Sequence, residues 1–565
     1  MRILLHPSRS TISKTSARRV WALALTMVCG AMASAAAASK AWWEKLDPAT
    51  LPAANLPVAE VIDRCIDQKL KQRDVAPALT APLETRLRRV MLDLHGRVPT
   101  LGELEAFLAG GDSAEVWARH VDRLAESPAF DRHLSNELNW LLMDGQSSEF
   151  QKYLDLAVTK KKGWDVVFRE AIVGQADPEA RPGVDQFLRQ RVMDTDRMAN
   201  DVSVRFFGVN ISCAQCHDHP YVKDWTQETY YGMKSFFSRT FDNGGFAGER
   251  DYGQLSFKTT KNQEKPATLS FLGGSALTEP ASMEPTEEKK KAERALLEQL
   301  KKDKKPPPPA QYSRRARLIE TGLSPEQQHW FARAIVNRVW DRLFGCGLVM
   351  PLDQMHGQNE PSHPELMQWL ARDLTAHGYD LRRLIRGIVT SRAWQRDSRW
   401  KSDTRPPRNL FAVAHPRPLT PRQYAMSLRF TAMEPAYLAP GKVKPGEIEQ
   451  RIAGTERSAS GYERWFERPG EDFQVSVDEA LFLSNGNDVQ SQLLDGSGLV
   501  KSMEALPGAA ERIRLAGKAI WQRELSEEEI SLLASYLEVR SNHPQAGLRQ
   551  MVWAMLSSAE FRFNH

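Results

Sequence analysis

The stretch Cys213-Ala214-Gln215-Cys216-His217 places two thiols and an imidazole side by side. Two cysteines one helical turn apart reach the two vinyl groups of a single porphyrin, and the adjoining histidine sets its imidazole under the iron. The spacing therefore suits covalent c-type haem attachment, with Cys213 and Cys216 as tethers and His217 as proximal ligand. With 5 Cys and 13 His in the chain, a chance C-x-x-C-H arises in roughly one such sequence in a thousand, so accident is a poor account of it. The same residues fit other chemistry. Cys213 and Cys216 with His217 or His219 offer zinc suitable ligand types. The two thiols also fit a short disulfide in an oxidising compartment or a redox-active dithiol, although a thioredoxin-like strand and helix are missing around them.

Under the haem reading, His219 lies too close to His217 to take the opposite face of the iron and serves as a second metal-binding or supporting group. Met233, Met355, His356 and His363 are candidates for the sixth ligand by residue type. A methionine there favours electron transfer, and an open position permits substrate chemistry. Under the zinc reading, His219 and a carboxylate such as Asp218 would serve a hydrolase acting on extracellular polymer. With a disulfide, the chain becomes a non-catalytic envelope scaffold. No Ser/His/Asp, phosphate-loop or dinucleotide pattern stands out.

These residues need a scaffold, and the spacing of apolar residues predicts a mainly α one. Helices are expected over Val58–Leu70, Leu83–Leu94, Ala114–Ala125, His133–Met143 and Gln151–Val158. More follow over His329–Phe344, Pro364–His377, Leu381–Val389, Ile513–Trp521, Ser526–Leu537 and Leu548–Met555. Thr100 with Glu103, Ser362 with Glu365 and Ser526 with Glu529 read as capping boxes. Short alternating stretches between Tyr252 and Leu272 predict a small β hairpin or sheet. The Lys/Glu-rich run from Glu287 to Lys305 leads into Pro306–Pro309, a spacer composition, and its interleaved carboxylates mark a solvated helix face. The expected organisation is 1–38 as a leader, 39–245 as a helical domain carrying the C-x-x-C-H, 246–283 as a β insertion, 284–312 as a linker and 313–565 as a second helical domain.

Weak echoes run through the chain. Ser127, Ser391 and Ser558 each follow an amphipathic helix and precede an aromatic residue three positions on. Gly96-Arg97 with Thr100 and Glu103 resembles Gln522-Arg523 with Ser526 and Glu529. Related helical hairpins at both ends, packed together, are one account of this.

Charge first suggests a basic protein, at +5 with a pI near 8.8. Arg2, Arg9, Lys14, Arg18 and Arg19 carry that entire excess, and the rest of the chain holds 71 basic and 71 acidic residues. A nucleic-acid partner therefore has no overall electrostatic support. The basic start, the apolar run from Val20 and the Ala/Ser tract up to Ser39 read instead as a cleaved secretory signal, with no membrane span after cleavage. Export to the periplasm or surface of a Gram-negative-type bacterium is the setting in which covalent haem attachment occurs, so the leader and the motif agree.

The stretch from Phe207 to Pro220, with Trp225-Thr226-Gln227 and Tyr230-Tyr231-Gly232, resembles the close of the domain-of-unknown-function family 1549, whose members in planctomycetes and verrucomicrobia are described as cytochrome-like. Leu92-Asp93-Leu94-His95-Gly96-Arg97-Val98-Pro99-Thr100 resembles the same family's entry. Asn337-Arg338-Val339-Trp340, Phe344–Val349, Pro361–Leu366, Ala480–Asn485 and Ser558–Phe561 are similar to the partner family 1553, commonly fused behind it. Neither family has a settled activity, so the resemblance carries over only the haem reading of Cys213, Cys216 and His217. Many relatives hold a separate cytochrome module ahead of this pair; residues 39–85 contain only Cys65 and lack it. The expected protein binds one haem c and works with a periplasmic redox partner or envelope protein as electron carrier or redox subunit. Its second domain would close over the site with Asn337, Arg338 and His363.

Overall fold

A computed structural model describes residues 40–174, 181–219, 222–274, 276–281, 283–439, 441–470 and 473–565; the expected leader lies outside these. The fold is mainly α, with three two-stranded antiparallel sheets among the described residues, β1 (Thr240–Asp242) with β2 (Ala247–Glu249), β3 (Ser256–Lys258) with β4 (Glu264–Pro266) and β5 (Arg417–Pro418) with β6 (Phe563–Asn564). No helix of the described residues is long and apolar enough to cross a membrane.

Local sequence sets most helix ends. Ser113 caps Ala114–Ala125 by accepting from Val116 N–H, and the capping boxes at Thr100 and Ser526 form as expected. The helix expected from His133 begins at Pro128, because Ser127 accepts from Phe130 N–H and proline fits the first turn. The expected Ser362–Glu365 box does not form. Pro364 fixes the start of the Pro364–Ala376 helix, so His363 occupies the capping position and makes no side-chain cap bond. The charged helix runs over Glu287–Lys302 with none of its residues buried. It lies on the small sheets through Tyr252 Oη to Glu293 at 2.6 Å and Asn243 Nδ2 to the Leu297 carbonyl at 3.1 Å.

The principal apolar core runs from Trp42 to Val413 and so crosses the charged helix without interruption. A second core gathers Leu419 to Phe561 around Leu92 and Val98. The Leu83–His95 helix belongs to both, since Leu87, Val90, Met91 and Leu94 enter the first core and Leu92 the second. Burial of such side chains at about 25 cal/mol per Å² is the main force holding the two halves together. β5 (Arg417–Pro418) pairs with β6 (Phe563–Asn564), bringing the C-terminal residues back to that helix, where Asn564 Nδ2 donates to Asp93 Oδ1 at 3.0 Å.

The sequence echoes have matching structures. Ser127, Ser391 and Ser558 each accept from the N–H of the aromatic residue three positions on, at 3.2, 3.2 and 3.3 Å. Gly96 and Gln522 both turn the chain with positive φ, 70° and 57°. Arg97 then forks onto Glu103 at 2.7 and 2.8 Å, as Arg523 forks onto Glu529 at 2.9 and 2.8 Å. A buried arginine lies over each aromatic ring: Arg382 over Phe130, Arg89 over Trp394 and Arg88 over Phe561, at 4.6, 5.3 and 5.5 Å.

Candidate functional site: the Cys213–His217 turn

The Thr195–Phe207 helix delivers the motif. It ends at Gly208, whose φ of 69° reverses the chain, and Val209 to Ile211 then lead into a single 3-10 turn, Ser212–Gln215. The turn is anchored to the second half of the protein. Asn210 N–H donates to the Asp353 carbonyl at 2.8 Å, Asn210 Nδ2 reaches Asp353 Oδ2 at 3.0 Å, and Met355 N–H returns to the Gly208 carbonyl at 3.0 Å. Asn210 Oδ1 in turn accepts from Ser212 N–H and Oγ–H at 3.1 and 2.7 Å, which sets the start of the turn.

Both thiols of the turn are exposed and unpaired. His217 is exposed as well, and its Nδ1 lies 2.8 Å from the Asp218 carbonyl. A carbonyl only accepts, so Nδ1 carries the proton and Nε2 keeps its lone pair free to ligate a metal. Behind the turn, the buried side chain of Gln227 acts as a clamp. Its amide donates to the carbonyls of Gln215 and Cys216 at 3.3 and 3.1 Å, and its oxygen accepts from Thr260 N–H at 3.2 Å. Thr260 follows the hairpin strand β3 (Ser256–Lys258), which pairs with β4 (Glu264–Pro266). Tyr231 stacks on Phe257 of β3 with ring centroids 4.3 Å apart, so the hairpin and the Gln227–Ser235 helix form one support.

Beyond the turn, the chain closes on itself where His219 N–H donates to the Trp225 carbonyl at 2.8 Å. His219 Nδ1 accepts from Val222 N–H at 3.1 Å. Its ring meets buried Trp225 edge to face at 5.1 Å, and His356 meets the same indole at 5.2 Å. Burial, and then the neighbouring His219, hold His356 below its usual pKa. Asp218 spends one carboxylate oxygen on Gln227 N–H at 2.9 Å, at the start of the Gln227–Ser235 helix. Its role is thereby to hold the turn against that helix.

The other candidates are dispersed. Met355 and His356 are carried to the turn by the Asp353–Met355 contacts, Met355 buried and His356 half-buried. Met233 is fully buried in the principal core. His363 is buried against Phe411, with Nδ1 at 3.1 Å from Ser362 Oγ, and burial lowers its pKa to about 3. Asn337 is buried and latches the following loop by two bonds with Val349, at 2.8 and 3.0 Å. Arg338 donates to the Val204 carbonyl at 2.7 Å and faces a cleft described below. The clamp residue Gln227 and the anchor Asn210 stand in the stretches that carry the family resemblance, but nothing in the sequence assigned them these roles.

The residues fit a haem tether on three counts: two exposed thiols one turn apart, an exposed His217 whose Nδ1 is engaged by a carbonyl, and a turn braced by Gln227 and Asn210. Among the described residues, no three His, Cys, Asp or Glu side chains converge as a metal site. No curated protein and no solved structure matches the chain. Residues 61–242 match the family model PSCyt2, a protein of unknown function (DUF1549), and residues 314–469 match PSD1, a protein of unknown function (DUF1553). The second match ends before Ala480–Asn485 and Ser558–Phe561. The chain thus joins a segment of the DUF1549 family to a segment of the DUF1553 family, in that order.

Proposed function

We propose that this is an exported c-type haem protein of periplasmic or cell-surface redox chemistry, an electron carrier or the redox subunit of an oxidoreductase. The observation that carries the reading is the His217 Nδ1 contact with the Asp218 carbonyl beside two exposed, unpaired thiols. Cys213 and Cys216 tether the group, and His217 presents Nε2 to the iron. Gln227 and Asn210 hold the turn so that these three atoms keep their mutual placement. Bound there, haem supplies a one-electron couple whose potential depends on the second axial ligand and on burial. Met355 and His356 are the sixth-ligand candidates that the fold attaches to the turn. Neutral overall charge after loss of the leader is in keeping with a protein partner, not a nucleic acid.

Peptide mapping tests this. Protein purified from a host with c-type maturation machinery is expected to yield a Cys213–His217 peptide carrying one haem through denaturation. An unmodified peptide, with stoichiometric zinc in the intact protein or with Cys213 and Cys216 disulfide-bonded, would overturn the reading in favour of a metallohydrolase or a scaffold.

A further inference from the structure

Away from the Cys213–His217 turn, a cleft of about 1130 Å³ opens where the two families meet. It is larger than the usual small-ligand pocket of roughly 300–1,000 Å³, so a single simple ion would leave most of it empty. Among the described residues, its charged lining consists of Arg205, Arg338, Arg342, Arg408, Arg417 and Arg468 against Glu137, Asp144 and Asp341, with no lysine. In a protein whose charges otherwise balance, that local excess of guanidinium groups is notable.

Among the described residues, the carboxylates do not neutralise it. Arg205 pairs with Asp144 at 2.9 Å, and Arg417 is engaged from behind by Asp93 at 2.9 Å. Arg342 and Arg468 share Glu137 at 3.6 and 3.8 Å. Among the described residues, no carboxylate comes within 4.0 Å of Arg338 or Arg408. Arg338 spends Nη2 on the Val204 carbonyl, and its buried Nε has no hydrogen-bond partner. Asp341 lies within the electrostatic field of Arg417, Arg338 and Arg408, and burial raises its pKa. Trp140 adds an apolar wall, with Arg468 over its ring at 4.7 Å.

We infer that this cleft binds an organic polyanion, a compact molecule bearing at least two carboxylate or phosphate groups, with Arg338 and Arg408 as its main anion contacts. Guanidinium forks match such groups two bonds at a time, which lysine cannot do. This stands apart from the haem reading, since none of the Cys213–His217 residues lines the cleft.

Calorimetric titration of the full chain tests it, with myo-inositol hexakisphosphate as the phosphate arm, citrate as the carboxylate arm and myo-inositol as the neutral control. One polyanion is expected to bind with a Kd below about 1 mM, to weaken as salt is added, and to lose about tenfold or more in Arg408→Ala. Arg338→Ala should do the same. Arg408 is exposed and makes no side-chain bond among the described residues, so its variant remains informative even where loss of the Arg338–Val204 bond impairs folding. Comparison of the two arms assigns phosphate or carboxylate chemistry. Absence of binding by either polyanion, equal binding of myo-inositol, or unchanged affinity in Arg408→Ala would overturn the proposal.

Discussion

At the scale of single residues, Gln227 has the largest stake in the geometry of the Cys213–His217 turn. Its side chain satisfies two carbonyls of the turn and one N–H in the bend of the hairpin, in a partly buried setting. Gln227→Ala leaves those groups unpaired and should cost about 1–3 kcal/mol in denaturant unfolding. Gln227→Glu keeps the acceptor for Thr260 but turns a carboxylate oxygen toward the Gln215 and Cys216 carbonyls, and should restore none of that loss at neutral pH. Cys213→Ala should abolish two-point haem attachment while leaving the fold intact, because the thiol is exposed and bonded to nothing else; mass analysis of the denatured protein reads the difference. The motif itself was legible because its chemistry lies in adjacent positions. The His219–Trp225–His356 stack was not, because His356 reaches Trp225 only through the tertiary pairing of Asn210 with Asp353.

At the scale of elements, the Gln227–Ser235 helix is seated by close backbone approach. A Cβ on Gly232 would stand 1.8 Å from Ser270 Oγ and 2.9 Å from Ser270 Cβ. Gly232→Ala should therefore overpack this contact and cost about 1–3 kcal/mol, and Ser270→Gly in the same chain should restore part of it. A double-mutant cycle by urea unfolding measures that coupling; strictly additive losses would contradict the account. Helix ends were legible where the signal is a local side-chain bond, as at Thr100 and Ser526. The Ser362–Glu365 expectation failed because Pro364 displaced the capping position to His363. β5 and β6 left no readable pattern, since two-residue strands far apart in the chain are defined by what they pack on.

At the scale of the whole molecule, Asp93 ties the two cores and the C-terminal segment together. Its carboxylate accepts from Arg417 at 2.9 Å and Asn564 at 3.0 Å, and its carbonyl from Arg342 at 2.9 Å. Asp93→Ala leaves half-buried Arg417 without its counter-charge and buried Asn564 without its acceptor, and should cost about 2–3 kcal/mol. Acid should act on the whole fold as well. Burial pulls His95 from 6.5 to about 4, and His120 and His363 to about 3. The folded chain keeps these rings neutral, whereas the unfolded chain protonates them below its ordinary value of 6.5. Their contribution is complete above pH 6.5 and is lost as pH falls toward 4, at about 2 kcal/mol per histidine by pH 5. Urea midpoints measured from pH 7 to pH 5 should drop steeply, and a flat profile would contradict this. The mainly α class and the family order were legible from patterning and motifs. The single core running from Trp42 to Val413 was not, because the charged Glu287–Lys302 helix reads locally as a spacer.

The proposed haem tether at Cys213–His217 is decided by the reduced optical spectrum of protein matured in a host competent for c-type haem attachment. A reduced α band is expected, with haem retained on the polypeptide after acid and organic extraction and that covalent fraction lost in Cys213→Ala/Cys216→Ala. A colourless protein, or colour removed completely by extraction, would contradict it.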